Sequence, residues 1–215
     1  MRHMSSGSQG LNKGSCQMNV AIAVLAGGRS SRFGQDKRFF NLSGKSLIRT
    51  AIEKAESLNL KTYLSVDKKF PLSFKSLLTD RNLIVDDYQY KGPLAAMVST
   101  LRKIEEEKAI FIPVDMPYIP VEFLTFIRER AQDYEVIYSI ISEKIYSLPS
   151  LVSKAMLEEI ENLVESDTPS LKRSFKSISK RCKTYIIDDK TISRFGDPRS
   201  IFHNINYAED LKYFP

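Results

Sequence analysis

Trp, cysteine and long apolar runs are scarce or absent in this chain, and these shortages argue against several classes of protein. The 215 residues contain no Trp and only two cysteines, Cys16 and Cys182. Two cysteines do not make a disulfide framework, and Cys16 falls in a polar segment, so we expect no bridge and a cytoplasmic location. No apolar run reaches the length of a membrane span, which predicts a protein without a transmembrane helix.

The first 18 residues are polar and rich in Gly and Ser. They lack the long apolar core of a secretory signal peptide, so we expect a disordered tail at 1–18. The remainder, 19–215, suits one large domain, and a hydrophobic content of 42% is enough for a sizeable core.

The charge balance is basic, with 32 Lys and Arg against 26 Asp and Glu and a net charge of +6. Such a balance suits either nucleic acid or small anionic substrates. No nucleic-acid-binding motif is present, and the aromatic residues do not alternate with a basic stripe. We therefore expect small anionic substrates and no nucleic acid partner.

Apolar strand patterns and amphipathic helix patterns alternate over the first two-thirds of the chain. This order predicts an α/β fold with three layers, in which helices cover both faces of a mostly parallel sheet. The predicted strands are 20–26, 61–66, 82–85, 109–114 and 135–141. The predicted helices are 46–58, 72–78, 93–107, 121–130, 153–164 and 166–179.

The stretch 19–37 joins the first predicted strand to a polar loop. Gly27 and Gly28 end the strand and allow a tight turn. Small residues let backbone N–H groups approach an anion, and Arg32 and Lys37 can neutralise its charge. The spacing matches neither a Walker A loop nor the dinucleotide fingerprint. We predict a phosphate-binding loop of another type, and the alternative is a basic turn without a ligand.

Acidic residues follow two later strands. Asp86 and Asp87 come directly after 82–85, and Asp115 follows 109–114. The carboxyl ends of parallel strands share one edge, where α/β proteins bind ligands, so these carboxylates should face the phosphate loop. One or two carboxylates plus substrate phosphates commonly hold Mg²⁺, which is therefore the predicted cofactor. A role as ordinary loop or capping residues stays open for Asp86 and Asp87.

Four segments resemble those of the MobA-like nucleotidyltransferases. Residues 25–37, LAGGRSSRFGQDK, resemble the family signature L-A-G-G-x-S-x-R-M/F-G-x-D-K. The others are GPLAA at 92–96, DMPYIP at 115–120 and NINYAEDL at 204–211. The resemblance covers roughly 19–213 and implies a single Rossmann-like domain. Its nucleotide-binding half would be about 19–120 and its acceptor-binding half about 121–215.

The resemblance also implies residue roles. The catalytic residues would be Lys37, Arg32 and Asp115, and Asp115 would hold Mg²⁺. The nucleotide would be bound by Leu25, Ala26, Gly27, Gly28, Lys37, Asp87, Gly92, Pro93 and Leu94. The acceptor would be bound by Asn204, Asn206, Lys172 and Arg173.

The implied reaction is the transfer of GMP from GTP to molybdopterin, giving molybdopterin guanine dinucleotide and pyrophosphate. The acceptor phosphate is already ionised at neutral pH, so positioning and charge neutralisation should dominate catalysis. Transient contacts with proteins that insert or deliver the molybdenum cofactor are implied as well.

Two alternatives stay open. One is a sibling enzyme that transfers CMP to molybdopterin or a nucleotide to a sugar or alcohol phosphate. The other is a nucleotide-binding protein without catalysis.

Four features depart from the family pattern or have a second interpretation. Ala96 replaces a family glycine near the base, and 146–151, YSLPSL, replaces His/Gln-Pro-Leu-x-Ala-Leu. The six basic residues of 168–183 form either a solvated face or a wall for an anionic acceptor. Asn206 with Glu209 also has the spacing of a helix capping box.

Overall fold

A computed structural model of the chain describes residues 19–27, 36–70, 82–86, 92–165, 170–206 and 210. The predicted tail at 1–18 and the predicted helix at 72–78 lie outside these residues. Within them, no helix is long and apolar enough to cross a membrane.

The described residues form one seven-stranded sheet and one two-stranded ribbon. In chain order the strands are β1 (Val20–Leu25), β2 (Asn41–Leu42), β3 (Lys45–Ser46), β4 (Lys61–Val66), β5 (Leu83–Val85), β6 (Lys108–Pro113), β7 (Val136–Ile141), β8 (Lys144–Ser153) and β9 (Thr184–Ile187). The ribbon pairs β2 with β3, and the other strands belong to the large sheet.

The helices connect the strands of the large sheet. They are α1 (Leu47–Glu56), α2 (Pro93–Lys103), α3 (Val121–Arg130), α4 (Leu157–Val164), α5 (Leu171–Ile178), α6 (Asp189–Ile192) and α7 (Pro198–Ile201). Short 3₁₀ helices occupy Lys37–Phe39 and Lys154–Met156. Ser46 caps α1, as predicted, because its side chain accepts a hydrogen bond from the backbone N–H of Arg49.

The strand order of the large sheet is β5-β4-β1-β6-β8-β7-β9. Strand β8 runs antiparallel to both of its neighbours, and all other pairings in this sheet are parallel. The carboxyl ends of β5, β4, β1 and β6 therefore lie side by side at one edge. The prediction of a mostly parallel sheet is confirmed.

Helices cover both faces, which confirms the three-layer architecture. Strand β1 is buried along its whole length, and its alternate residues enter two different cores. The core that contains Ile22 is closed by α1, α3, α6 and α7. The core that contains Ala23 is closed by α2, α4 and α5.

The predicted helix at 93–107 ends earlier, at Lys103. Ile104 has an extended backbone, and its side chain is buried in the core below α2. The backbone N–H groups of Glu107 and Lys108 then bond to the carbonyl of Asn19, next to β1. The helix ends at Lys103 because burying Ile104 and bonding to Asn19 stabilise the chain more than continuing the helix through the glutamates that follow.

The prediction was less accurate beyond residue 142. The helix predicted at 153–164 begins only at Leu157, because Ser153 is the last residue of β8 and pairs with Lys108 of β6. Strands β8 and β9 were not predicted at all. The described part of the helix predicted at 166–179 begins at Leu171.

Candidate active site

Four strand ends meet at the carboxyl edge of the sheet. Strand β1 continues into Ala26 and Gly27, β4 into Asp67, β5 into Asp86, and β6 through Val114 into Asp115. Backbone hydrogen bonds keep these ends in register beyond the strands themselves. They run from Val114 to Leu25 at 3.2 Å, from Ala26 to Ser65 at 2.8 Å and from Asp86 to Val66 at 2.8 Å.

Two predicted catalytic residues form an ion pair at this edge. Nζ of Lys37 lies 2.7 Å from Oδ2 of Asp115. Lys37 opens the 3₁₀ helix that follows the predicted phosphate loop, and Asp115 follows β6. The side chains are 16% and 21% exposed, so the pair is sheltered but open to a ligand. Sequence reasoning placed both residues in one site, and the structure brings them into contact.

Gly27 faces a carboxylate at close range. A Cβ atom added to Gly27 would lie 2.9 Å from Oδ2 of Asp86, which is closer than real Cβ atoms approach such an oxygen. The other oxygen, Oδ1 of Asp86, accepts a hydrogen bond from Oγ of Ser65 at 2.6 Å. The carboxylate is therefore held in place beside the backbone of Gly27, which is exposed, whereas Leu25 and Ala26 are buried. Of these three predicted nucleotide-binding residues, only Gly27 presents an open surface.

The predicted base-binding segment opens helix α2. Gly92 has φ of +106°, a conformation that favours glycine, and Pro93 occupies the first turn of the helix. Leu94 is buried. Ala96, where the family pattern has glycine, is 3% exposed and packs into the core below α2. Its methyl group therefore fills core space and does not project from the carboxyl edge.

A half-buried lysine organises the loop after Asp115. Nζ of Lys54, in α1, donates to the carbonyls of Pro117 and Ile119, the latter at 2.7 Å. Burial lowers the pKa of Lys54 from its ordinary value near 10.5 to about 8, and the carboxylate of Glu122 offsets part of this effect. Lys54 thus ties the loop that carries Asp115 to α1.

The segment with the predicted acceptor asparagines reaches the same loop. The backbone N–H of Ile205 donates to the carbonyl of Asp115 at 2.9 Å. Ile205 is buried, while Asn204 and Asn206 on either side are exposed. The backbone N–H of Asn206 bonds to Oδ2 of Asp210 at 2.7 Å. Both asparagines therefore flank a residue that is bonded to the backbone of Asp115.

Two residues of the predicted basic wall, Arg173 and Arg181, lie toward opposite ends of α5. At its carboxyl end, Arg181 bonds to Glu159 at 2.7 Å, beside the start of α4 and the amino edge of the sheet. Arg173 is exposed in the first turn of α5, at the opposite end of the helix. Arg173 therefore lies at the end of α5 away from the amino edge, and Arg181 lies beyond the other end.

Some predicted site residues cannot be placed. Gly28, Arg32, Asp87 and Glu209 lie outside the described residues, as does the side chain of Lys172.

Sequence reasoning missed Arg38 and Asp67. Arg38 is buried, and it bonds to Asp67 and to the carbonyl of Ala26. Asp67 directly follows β4, so the rule that selected Asp115 also selects it. Nothing in the local sequence pattern distinguished Arg38.

The donor set near Asp115 fits a Mg²⁺ ion that shares its ligands with a substrate. Among the residues that the structure describes, no group of three or more His, Cys, Asp or Glu side chains could hold a metal by itself. A single carboxylate at an open edge suits Mg²⁺, which usually keeps water and substrate phosphates as its other ligands. Asp115 is the residue that would hold it.

A family model described as MobA-like NTP transferase domain matches residues 22–182. The chain belongs to this family. A protein of Peptoclostridium acidaminophilum named "Probable molybdenum cofactor guanylyltransferase" is 27% identical over 198 residues, which cover 89% of this chain and 86% of that protein.

Two solved structures have the same fold. Molybdopterin-guanine dinucleotide biosynthesis protein A from Archaeoglobus fulgidus aligns with a TM-score of 0.75 at 21% identity, covering 90% of this chain and 95% of that one. The 4-diphosphocytidyl-2C-methyl-D-erythritol synthase from Anaerococcus prevotii aligns with a TM-score of 0.68 at 12% identity, covering 91% and 96%. At these identities the two structures support the MobA-like fold alone.

Proposed function

We propose that this MobA-like protein is a molybdenum cofactor guanylyltransferase, which transfers GMP from GTP to molybdopterin and releases pyrophosphate. The observation that carries the proposal is the contact between Lys37 and Asp115 beside Gly27 at the carboxyl edge. A cation, a carboxylate and an exposed backbone at one edge of the sheet support the binding of a nucleoside triphosphate there. The name of the Peptoclostridium acidaminophilum relative supports guanylyl transfer in particular.

The chemistry needs two anionic reactants to meet. An oxygen of the molybdopterin phosphate attacks the α-phosphorus of GTP, the bond from that phosphorus to the β-phosphate breaks, and pyrophosphate leaves. The attacking phosphate is ionised at neutral pH, so no general base is needed. The protein contributes position and charge neutralisation, which are the main terms in phosphoryl-type transfer.

Each residue of the site has a role in this scheme. Lys37 binds the triphosphate and stabilises the charge that develops on the leaving pyrophosphate. The backbone of Gly27 allows a phosphate to approach closely, because no side chain intervenes. Gly92 and Pro93 open α2 at the position where the base is expected. Asn204 and Asn206, with Lys172 and Arg173, form the acceptor side.

Mg²⁺ is the cofactor that we propose for Asp115. When bound, it would neutralise phosphate charge and orient the triphosphate. The carboxylate of Asp115 is paired with Lys37. A triphosphate that draws Lys37 toward its own oxygens would leave Asp115 able to accept the metal.

The test is a thermal-shift panel with GTP, CTP, UTP and ATP, each with Mg²⁺, followed by a pyrophosphate-release assay with molybdopterin. A ligand present at 100 times its Kd should stabilise the protein by about 2.7 kcal/mol. We expect the largest shift with GTP and turnover only with GTP and molybdopterin together. A larger shift with CTP would favour a sibling cytidylyltransferase. Binding without any turnover would favour a nucleotide-binding protein.

The proposed reaction also defines where the protein works and what it meets. We propose a cytoplasmic enzyme whose product is handed to proteins that insert or deliver the molybdenum cofactor. The scarcity of cysteine supports a reducing compartment. Pull-down with purified insertion proteins, in the presence and absence of product, would test these transient contacts.

A further inference from the structure

Two adjacent residues of the first 3₁₀ helix reach opposite neighbours of strand β1. Lys37 contacts Asp115 after β6, with 2.7 Å between Nζ and Oδ2. Arg38 contacts Asp67 after β4, with 3.2 Å between Nη1 and Oδ2. Between these contacts, Nη1 of Arg38 donates to the carbonyl of Ala26, at the end of β1, at 2.8 Å. The short helix is therefore fastened to three neighbouring strand ends.

We propose that Arg38 is a positioning residue of the transfer reaction. Its guanidinium fixes the short helix to the ends of β1 and β4, so that the neighbouring Lys37 faces the triphosphate. The inference rests on the function proposed above, because it needs a triphosphate at this edge. Arg38 itself is too deeply buried, at 5% exposure, to touch the substrate.

The contacts of Arg38 depend on the planar, forked shape of its guanidinium group. Nε of Arg38 bonds to Oδ1 of Asp36 at 2.8 Å, and Nη2 bonds to Oδ2 of the same carboxylate at 2.5 Å. This fork-to-fork pairing sets the orientation of the whole side chain as well as its position. The remaining nitrogen, Nη1, is then aimed at Ala26 and Asp67. A lysine at this position could not make these contacts together, because its ammonium is a single point.

Aromatic rings close the pocket around Arg38. The guanidinium carbon lies 5.1 Å from the ring centroid of Phe70 and 5.8 Å from that of Phe39. The two rings contact each other, with 6.0 Å between their centroids. Rings at these distances attract a cation and limit the water around it. Arg38 is thus held by charge on one side and by aromatic surface on the other.

The consequence for catalysis follows from the neighbouring position of Lys37. A displacement of a catalytic group by 1 Å can reduce the rate by about 10²-fold. Lys37 and Arg38 share one turn of helix, so any movement of Arg38 shifts the backbone that aims Lys37. The effect of Arg38 on the reaction should therefore pass through Lys37 and should vanish when Lys37 is already removed.

A double-mutant cycle tests this coupling. Arg38→Lys keeps a buried cation but loses the fork, and Arg38→Met also removes the charge. Each is combined with Lys37→Ala, and the single and double variants are compared by kcat for guanylyl transfer and by the Kd for inorganic tripolyphosphate. We expect Arg38→Lys to lower kcat by about 10- to 10²-fold. We expect the double variant Lys37→Ala/Arg38→Lys to lose no more than Lys37→Ala alone.

A control separates positioning from general stability. Arg128 also donates from Nη1 to a carbonyl, that of Leu58, at 2.7 Å, but at the amino edge of the sheet. Arg128→Met should lower the melting temperature without changing kcat or tripolyphosphate binding, when assayed well below that temperature. Asp67→Asn is a milder loosening of the same pocket, since its amide oxygen still accepts from Arg38, and we expect an intermediate loss.

The outcomes distinguish this inference from the proposed function. Additive losses in the cycle, or full activity in folded Arg38 variants, would overturn the role of Arg38. A wild-type protein that binds tripolyphosphate but transfers no guanylyl group would contradict the proposed function. The tripolyphosphate Kd values of the single and double variants would then still show whether Arg38 positions Lys37. A wild-type protein that does not bind tripolyphosphate would overturn both the phosphate site and the role of Arg38.

Discussion

The ammonium of Lys37 lies 2.7 Å from the carboxylate of Asp115, although the two residues are 78 positions apart in the chain. The contact joins the 3₁₀ helix Lys37–Phe39 to the end of β6, the strand next to β1 in the sheet. It pairs two opposite charges at the carboxyl edge. A triphosphate offers Lys37 several oxygens in place of one carboxylate, so binding of the nucleotide should break this pair.

Replacing Lys37 by Ala should lower turnover by about 10²-fold or more, because one preorganised donor to the developing charge is lost. The fold should persist, since a partly exposed ion pair contributes about 1 kcal/mol or less. Steady-state kinetics and thermal melting on the same variant check both parts.

Lys45→Ala is the matched control for Lys37→Ala. Lys45 is exposed on the ribbon β2–β3, and its Nζ lies 2.6 Å from a carboxylate oxygen of Glu53 in α1. Its removal should leave turnover unchanged. Full activity in a folded Lys37→Ala protein would remove the first loop from the chemistry.

Replacing Asp115 by Asn keeps the shape of the side chain and one acceptor oxygen but removes its charge. Turnover should fall sharply, because charge neutralisation by a bound metal contributes several kcal/mol to transition-state stabilisation. Binding of GTP without metal should be less affected, since Gly27 and Lys37 remain. Pyrophosphate release measured against Mg²⁺ concentration checks this, together with the melting temperature.

If Asp115 were only a loop or capping residue, Asp115→Asn would lower stability by about 1 kcal/mol and leave turnover intact. Wild-type turnover of this variant at saturating Mg²⁺ would refute the metal site.

The sequence predicted best those elements whose apolar pattern follows their burial. Strand β4 was predicted with its observed bounds, Lys61–Val66, and α3 with its bounds, Val121–Arg130. In both cases the apolar pattern reports directly on burial. Strand β8 was not predicted because Pro149 interrupts its pattern and because Ser147 and Ser150, although buried, are polar. A central antiparallel strand of this composition has no clear local signature.

The same distinction applies to the candidate site. Lys37 and Asp115 were predicted because each lies in a recognisable segment at the end of a strand. Asp67 follows a strand in the same way and was overlooked. Arg38 was not predicted, because its contact with Asp67 depends on how β1 and β4 pair. A local pattern does not contain that information. Prediction from the sequence was therefore better for the residues that would face the ligand than for the residues that hold them in place.

Replacing Gly27 by Ala should weaken nucleotide binding. The added Cβ would lie 2.9 Å from Oδ2 of Asp86, and the hydrogen bond from Ser65 prevents this carboxylate from moving away freely. Either the carboxylate or the backbone of Gly27 must then shift, at the point where a phosphate approaches. We expect a higher KM for GTP with a small change in melting temperature.

The double variant Gly27→Ala/Ser65→Ala tests this explanation for Gly27. Without the hydroxyl of Ser65, the carboxylate of Asp86 loses one of its hydrogen bonds and can move more easily, so part of the GTP affinity should return relative to Gly27→Ala. An equal or greater loss of affinity in the double variant would mean that the clash with Asp86 is not the cause.

The last prediction concerns the pH dependence of stability at Lys54. Its folded-state pKa is lowered to about 8 by burial, against about 10.5 in the unfolded chain. Between these two values the unfolded chain binds the proton and the folded protein does not. Stability from this group therefore increases as pH rises from about 8 toward 10.5, and the cost of burying the charge is present below pH 8.

The comparison that isolates this effect is the wild-type protein against Lys54→Met and Lys54→Arg. The difference in unfolding free energy between wild type and Lys54→Met should shift in favour of wild type across this pH range, because only the wild type loses a buried charge. Lys54→Arg should show no such rise, because a guanidinium stays protonated throughout. Denaturant melts at closely spaced pH values measure both differences. A constant difference between wild type and Lys54→Met would show that the ammonium of Lys54 is not desolvated by its contacts with the carbonyls of Pro117 and Ile119.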